Sequence, residues 1–181
     1  MDREFAYKLA KSKFSNLNLF KHVLAVEAVM RELAEHFDQD IETWGLTGLL
    51  HDLDYEETAK EPDKHTLVTE KILIEYGIDE EIIKAIKCHN DKAPRDSLMG
   101  KAIYAADPVT GLIVASALMH PEKCLKALDV DFIMRRFGEK RFAAGANRDQ
   151  IRSCEDFGLT LEEFLGIALK AMQNIHKELG L

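Results

Sequence analysis

Apolar residues along this chain recur at steps of three and four, the spacing that gathers them on one face of an α-helix. Leu19, Val23, Val26, Met30, Leu33 and Phe37 form one such stripe. Asp40 is a good N-cap for a second helix, which carries Ile41, Trp44, Leu46, Leu49 and Leu50 on to His51 and Asp52. Pro62 suits a first helical turn and Gly77 the residue just past a helix end, so a third helix is predicted between them. Further helices are predicted over Asp79 to His89 and Ser97 to Asp107, where Pro108 disfavours helical geometry at the preceding residue and predicts a kink. Shorter helical pieces follow His120-Pro121. A Thr160/Glu163 capping box then opens a helix predicted to reach the C-terminus, with Leu161, Phe164, Leu165, Ala168, Leu169 and Met172 on its packing face. No strong strand alternation, repeat or low-complexity linker is present. The expected fold is all-α: a compact single-domain helical bundle over 1–181, with a core over 18–120 and a C-terminal helical extension over 121–181 packed on it.

Composition narrows the partners. The chain has 181 residues, enough to bury a core without disulfide staples. Its 24 basic and 32 acidic residues give a net charge of -8 with no basic cluster, which argues against extended binding to a nucleic-acid backbone. Cys88, Cys124 and Cys154 form no CxxC pair, and the odd count suggests reduced thiols in the core. The N-terminal "MDREFAYKLAKSKF" lacks the apolar stretch of a signal peptide, and the longest apolar run, Gly111 to Met119, is too short to cross a bilayer. A soluble cytoplasmic protein, a monomer or a homodimer with no membrane association, is the expectation.

Six ionisable residues fall where apolar ones would be expected. His22 shares the stripe of Leu19 and Val26, and His51-Asp52 ends the Leu46 to Leu50 run. His65 stands at helical spacing with Thr69, Ile72 and Tyr76, His89 follows Ile82, Ala85 and Ile86, and Asp107 follows Ile103 by four. Any one alone reads as a core histidine satisfied by a carbonyl, or as a capping aspartate. Six together read differently. Burying them without partners would cost roughly 2 kcal/mol or more per group, whereas a divalent metal uses all their lone pairs at once. By contrast His36, His120 and His176 lack companions and are expected at the surface or at helix ends, and Trp44 is expected in the core.

The ordered set resembles the HD superfamily of metal-dependent phosphohydrolases, whose signature is a His, a His-Asp doublet and a distant Asp on helices. The matching residues are His22 in "FKHVLAVEAVM", His51-Asp52 in "LLHDLDY" and Asp107 in "IYAADPVTG". His65 in "DKHTLVTEKIL" and His89 in "IIKAIKCHND" resemble the extra ligands of the two-metal branches, including the family that hydrolyses diadenosine tetraphosphate. The resemblance covers about Asn18 to His120. It implies that His22, His51 and Asp107 hold one ion, that His65 and His89 hold a second, and that Asp52 bridges them. The cofactor implied is a divalent transition metal, one or two ions per chain, with iron or manganese favoured and zinc, cobalt or nickel also compatible. The activity implied is hydrolysis of a phosphate ester or anhydride in a small phosphorylated, nucleotide-like molecule by a metal-activated water.

One departure from that pattern matters. Many relatives continue the doublet as HD-Ile-Gly-Lys, but here Leu53, Asp54 and Tyr55 follow, so the usual phosphate-side cation is missing. Lys101 and Arg148, the latter in "FAAGANRDQI", are the candidate substrate-binding cations. Asp54 is a candidate catalytic carboxylate beside Asp52, for proton transfer or for support behind a ligand, or simply an exposed acid past a helix end. Some HD-fold proteins use the same six ligands to hold two irons and oxidise a phosphonate or polyol with oxygen, and a non-catalytic metal or ligand sensor is the third reading. Spacing alone does not separate them.

Overall fold

The computed structural model describes all 181 residues, and its regular elements are helices throughout. Helix α1 (Arg3–Lys13) precedes α2 (Leu17–His36), α3 (Ile41–Leu50) and the single turn α4 (Tyr55–Thr58). Helices α5 (Leu67–Glu75), α6 (Glu80–His89) and α7 (Leu98–Met119) follow. Helices α8 (Val130–Phe137), α9 (Arg148–Arg152), α10 (Leu161–Asn174) and the short α11 (His176–Leu179) complete the chain. One apolar cluster runs from Ala6 to Leu179 and includes Trp44 and Cys154, while Cys88 is also buried. His36, His120 and His176 sit at helix ends or starts, as expected.

The caps read from the sequence are in place. Asp40 accepts from the Thr43 amide at 2.6 Å to start α3, and the Thr160/Glu163 box starts α10. Helices α2 and α3 lie in backbone contact at Gly48, where an added Cβ would come within 2.8 Å of the Glu27 Cα. This approach matters because α2 carries His22 and α3 delivers His51-Asp52. Gly48→Ala is expected to destabilise the fold by about 1–3 kcal/mol through overpacking. Denaturant unfolding measures it, and an unchanged midpoint would mean that the two helices separate freely.

Three expectations are corrected. Pro108 does not end or visibly divide a helix: α7 runs through it for 22 residues. Proline removes only the N–H that would reach the Tyr104 carbonyl, and buried side chains on both sides, Ala102, Ile103 and Ala106 before it and Val109, Leu112 and Ile113 after it, keep the helix continuous. By length and composition α7 could cross a membrane, but it packs against α2, α6, α9 and α10. His65 lies outside α5, because Pro62–Lys64 forms only a single 3-10 turn and Thr66 takes a left-handed φ of 70° before the helix starts. The C-terminal helix breaks at Ile175, where α11 begins.

Candidate metal centre

His22 projects from α2, His51 and Asp52 leave the end of α3, His89 is the last residue of α6, and Asp107 sits midway along α7. His65 completes the group from the connection before α5. All four imidazoles turn Nε2 towards Asp52, and they divide between its two oxygens. Oδ2 lies 3.7 Å from His22 Nε2 and 3.5 Å from His51 Nε2, and Asp107 Oδ1 is 3.1 Å from the same His22 atom. Oδ1 lies 3.3 Å from His65 Nε2 and 3.4 Å from His89 Nε2. The six residues named from the sequence are therefore brought together, in two halves.

The Nδ1 atoms show why each ring faces inward. His51 Nδ1 donates to the Gly48 carbonyl at 2.8 Å, and His89 Nδ1 to the Ile86 carbonyl at 2.6 Å. Both histidines stand at a helix C-terminus, where the carbonyl three residues back has lost its helical partner. Thr110 Oγ1 donates to the Asp107 carbonyl at 2.9 Å, so its lone pair is what receives His22 Nδ1 at 3.0 Å. His65 Nδ1 donates to Asp54 Oδ1 at 2.8 Å. With the proton of each neutral ring held on Nδ1, Nε2 is the atom left to offer a lone pair to a metal at the centre.

A metal fits this donor set. His51 Nε2 is buried with no hydrogen-bond partner, which is costly for an imidazole nitrogen and natural for a ligand. His65 and His89 bring two Nε2 atoms within 3.0 Å of each other, an approach that needs a shared cation or proton. The donors His22, His51 and Asp107, and separately His51, Asp52 and His89, lie within 4.8 Å of one another.

Asp54 is not the exposed acid that its place after a helix suggested. It is fully buried, and its Oδ2 accepts from the Val68 and Thr69 amides at 3.1 and 3.0 Å, capping α5 from outside that helix. Its other oxygen accepts from His65 Nδ1, which places Asp54 behind that imidazole and not among the residues lining the cavity. The left-handed Thr66, a conformation costing about 1–3 kcal/mol in a non-glycine residue, turns the chain so that both contacts form.

The charges follow from these contacts. Burial opposes ionisation of His65, but hydrogen bonds to the Asp52 and Asp54 carboxylates outweigh it and raise the pKa to about 9. Burial likewise opposes charge on His22, and Asp107 outweighs it to raise that pKa. Burial dominates at His51 and lowers its pKa to about 4. In the metal-free protein, stabilisation from His65 and His22 is complete below about 6.5 and is lost as pH rises, for His65 towards 9. His51 acts oppositely: below about 6.5 the unfolded chain takes up a proton that the folded chain refuses down to about 4. Metal-free protein is expected to be most stable near pH 6.5. Thermal melts from acid to alkaline pH check this, and a melting temperature that climbs steadily to pH 9 would contradict it.

The cluster forms the floor of an open cavity of about 660 Å³. Its walls include Leu19, Tyr55, Asn90, Gly111, Ala143 and Gln150. Neither candidate cation lines it. Lys101 turns its Nζ to the Asp156 carbonyl at 3.3 Å. Arg148 spends its guanidinium on carbonyls of Arg136, Phe137, Phe142, Ala143 and Ala146, pinning the turn that forms one wall. A long basic side chain read from sequence carries no mark of such local acceptors. The supporting residues missed from sequence were Thr110 and Asn90, whose Nδ2 donates to the His65 carbonyl at 3.2 Å; only the three-residue step from Asp107 to Thr110 could have signalled the first.

The profile of the HD domain family matches residues 19–130. The chain belongs to the HD domain family. HD domains bind divalent metals and are generally hydrolases, in keeping with the cluster. Among curated proteins, the chain is similar to ribonuclease Y of Desulfotalea psychrophila, 26% identical over 135 residues, which is 73% of this chain and 26% of that protein. Ribonuclease Y of Pelobacter propionicus is 24% identical over 165 residues, 90% of this chain and 32% of the relative. That of Geobacter sulfurreducens is 25% identical over 135 residues, again 73% of this chain and 26% of the relative. The chain thus spans about a third or less of the length of these relatives. No solved structure matches it significantly.

Proposed function

We propose that this HD domain is a metal-dependent phosphohydrolase that cleaves a phosphate ester or anhydride of a small, nucleotide-like molecule. The observation that carries the reading is the division at Asp52: one carboxylate oxygen faces His22 and His51, which Asp107 also approaches, and the other faces His65 and His89. A carboxylate can bridge two ions in this way, and the imidazoles leave open positions on each. A pair of divalent ions, iron or manganese by preference, would supply an acidified water and neutralise charge on the phosphoryl oxygens. In the overall reaction one oxygen of water forms a new bond to phosphorus, one P–O bond to the leaving group breaks, and the leaving oxygen takes up the water's proton.

The chain's own residues hold this arrangement still. His51, Asp52 and His89 are buried, and each imidazole is fixed from behind by an acceptor, so little reorganisation is left for the moment of reaction. Tyr55 and Gln150 line the cavity and bring a hydroxyl and an amide that could orient a substrate. The relatives named ribonuclease Y support a phosphodiester as one such substrate.

The test is a phosphate-ester and anhydride panel run without oxygen, with manganese, zinc or magnesium in turn. Turnover with a redox-inactive ion is the expected result. If no metal supports cleavage while the iron-loaded protein consumes oxygen with a phosphonate or polyol, the oxygenase reading replaces this one.

A further inference from the structure

We infer that the metal cavity selects substrates carrying one singly charged phosphodiester and discriminates against polyphosphates. The inference rests on the phosphohydrolase reading and adds the charge class of its substrate. It comes from what the cavity wall lacks as well as from what it holds.

No lysine or arginine lines the cavity. The nearest candidates by sequence are committed elsewhere, Arg148 to five backbone carbonyls and Lys101 to that of Asp156. The donors that remain are neutral: the Gln150 and Asn90 amides, the Tyr55 hydroxyl, and the backbone N–H groups of Ala143 and Gly145, which have no hydrogen-bond partner in the chain. Because Arg148 occupies the carbonyls of Phe142, Ala143 and Ala146, this turn is held with its acceptors already engaged. Neutral N–H and O–H groups can satisfy the free oxygens of a single phosphate, but they do not cancel additional charge.

The charge balance sets the limit. Two divalent ions would bring four positive charges, against three from the carboxylates of Asp52, Asp54 and Asp107 and a fourth once the bound water is ionised, so the loaded centre would carry a surplus of about one at most. A phosphodiester carries one negative charge and so departs least from that balance. A tetraphosphate chain would bring about four, with no side-chain cation to meet the remainder, in a protein whose net charge is already -8. The remaining wall, with Leu19, Gly111 and Ala115, is apolar or small and suits a base or sugar better than a run of phosphates.

Two ligands with the same adenosine termini separate the possibilities: the dinucleoside monophosphate of adenosine, and diadenosine tetraphosphate. Each is titrated calorimetrically into manganese-loaded protein, with free manganese buffered at a level that keeps the site loaded but leaves the tetraphosphate largely uncomplexed, and each is assayed for cleavage. The monophosphate is expected to bind about tenfold or more tightly and to show a correspondingly higher kcat/KM. Gln150→Arg, which places a cation on the wall, is expected to narrow both ratios by about tenfold with metal content unchanged. Equal or tighter binding of the tetraphosphate by the wild-type protein overturns the inference, as does a ratio that Gln150→Arg leaves unmoved. If the binding order holds but neither ligand is cleaved with any metal, the selectivity stands and the hydrolase reading fails.

Discussion

Replacing Asp52 by alanine is expected to remove both bound metal and phosphohydrolase activity while leaving the helical fold in place. Its two oxygens face the His22/His51 side and the His65/His89 side at once, a pair of contacts that a single residue supplies. Loss of the pair would forfeit several kcal/mol of transition-state stabilisation, about a thousandfold or more in rate at 1.36 kcal/mol per decade. Helical content should survive, because Leu49, Leu50 and Leu53 around it remain buried. Elemental analysis of the purified variant, beside circular dichroism and a turnover assay, measures all three. Retention of about two ions per chain would show that Asp52 is not the bridge.

Asp54→Asn is the second large effect, and it separates support of a ligand from direct chemistry. The substitution keeps the shape but puts an amide N–H₂ where Oδ2 now accepts from the Val68 and Thr69 amides, so donors face donors, and it removes the charge that holds the His65 proton. Affinity for the ion on the His65/His89 side is expected to fall about 10–100-fold, the usual scale for losing a partner behind a metal-bound imidazole. Activity should therefore decline at limiting metal and recover substantially when metal is raised. Metal titration followed by kinetics at saturating metal distinguishes this from a role in proton transfer. A variant that binds both ions normally yet stays inactive would return Asp54 to the reacting centre.

Much of the site could be read from the chain alone because helical side chains have fixed directions. Once Leu19 and Val26 define a buried stripe, His22 must lie on it, and once Leu46, Leu49 and Leu50 are buried, the doublet that follows must emerge at the core's edge. The same periodicity gave Asp107 and His89, and it specified the all-α fold because no competing alternation exists in the chain. His65 was assigned for the wrong local reason: it belongs to the cluster, but a left-handed Thr66, not an α-helical register, brings it there. Tertiary structure alone decided which oxygen of Asp52 faces which histidines, that Asp54 is buried behind His65, and that α7 continues through Pro108. It also decided that the Arg148 guanidinium turns to a set of backbone carbonyls and away from the cavity lining. The dividing line is physical. Periodicity fixes where a side chain leaves its own helix, whereas the partner that claims a charge or a lone pair comes from distant segments whose approach is set only when the helices pack.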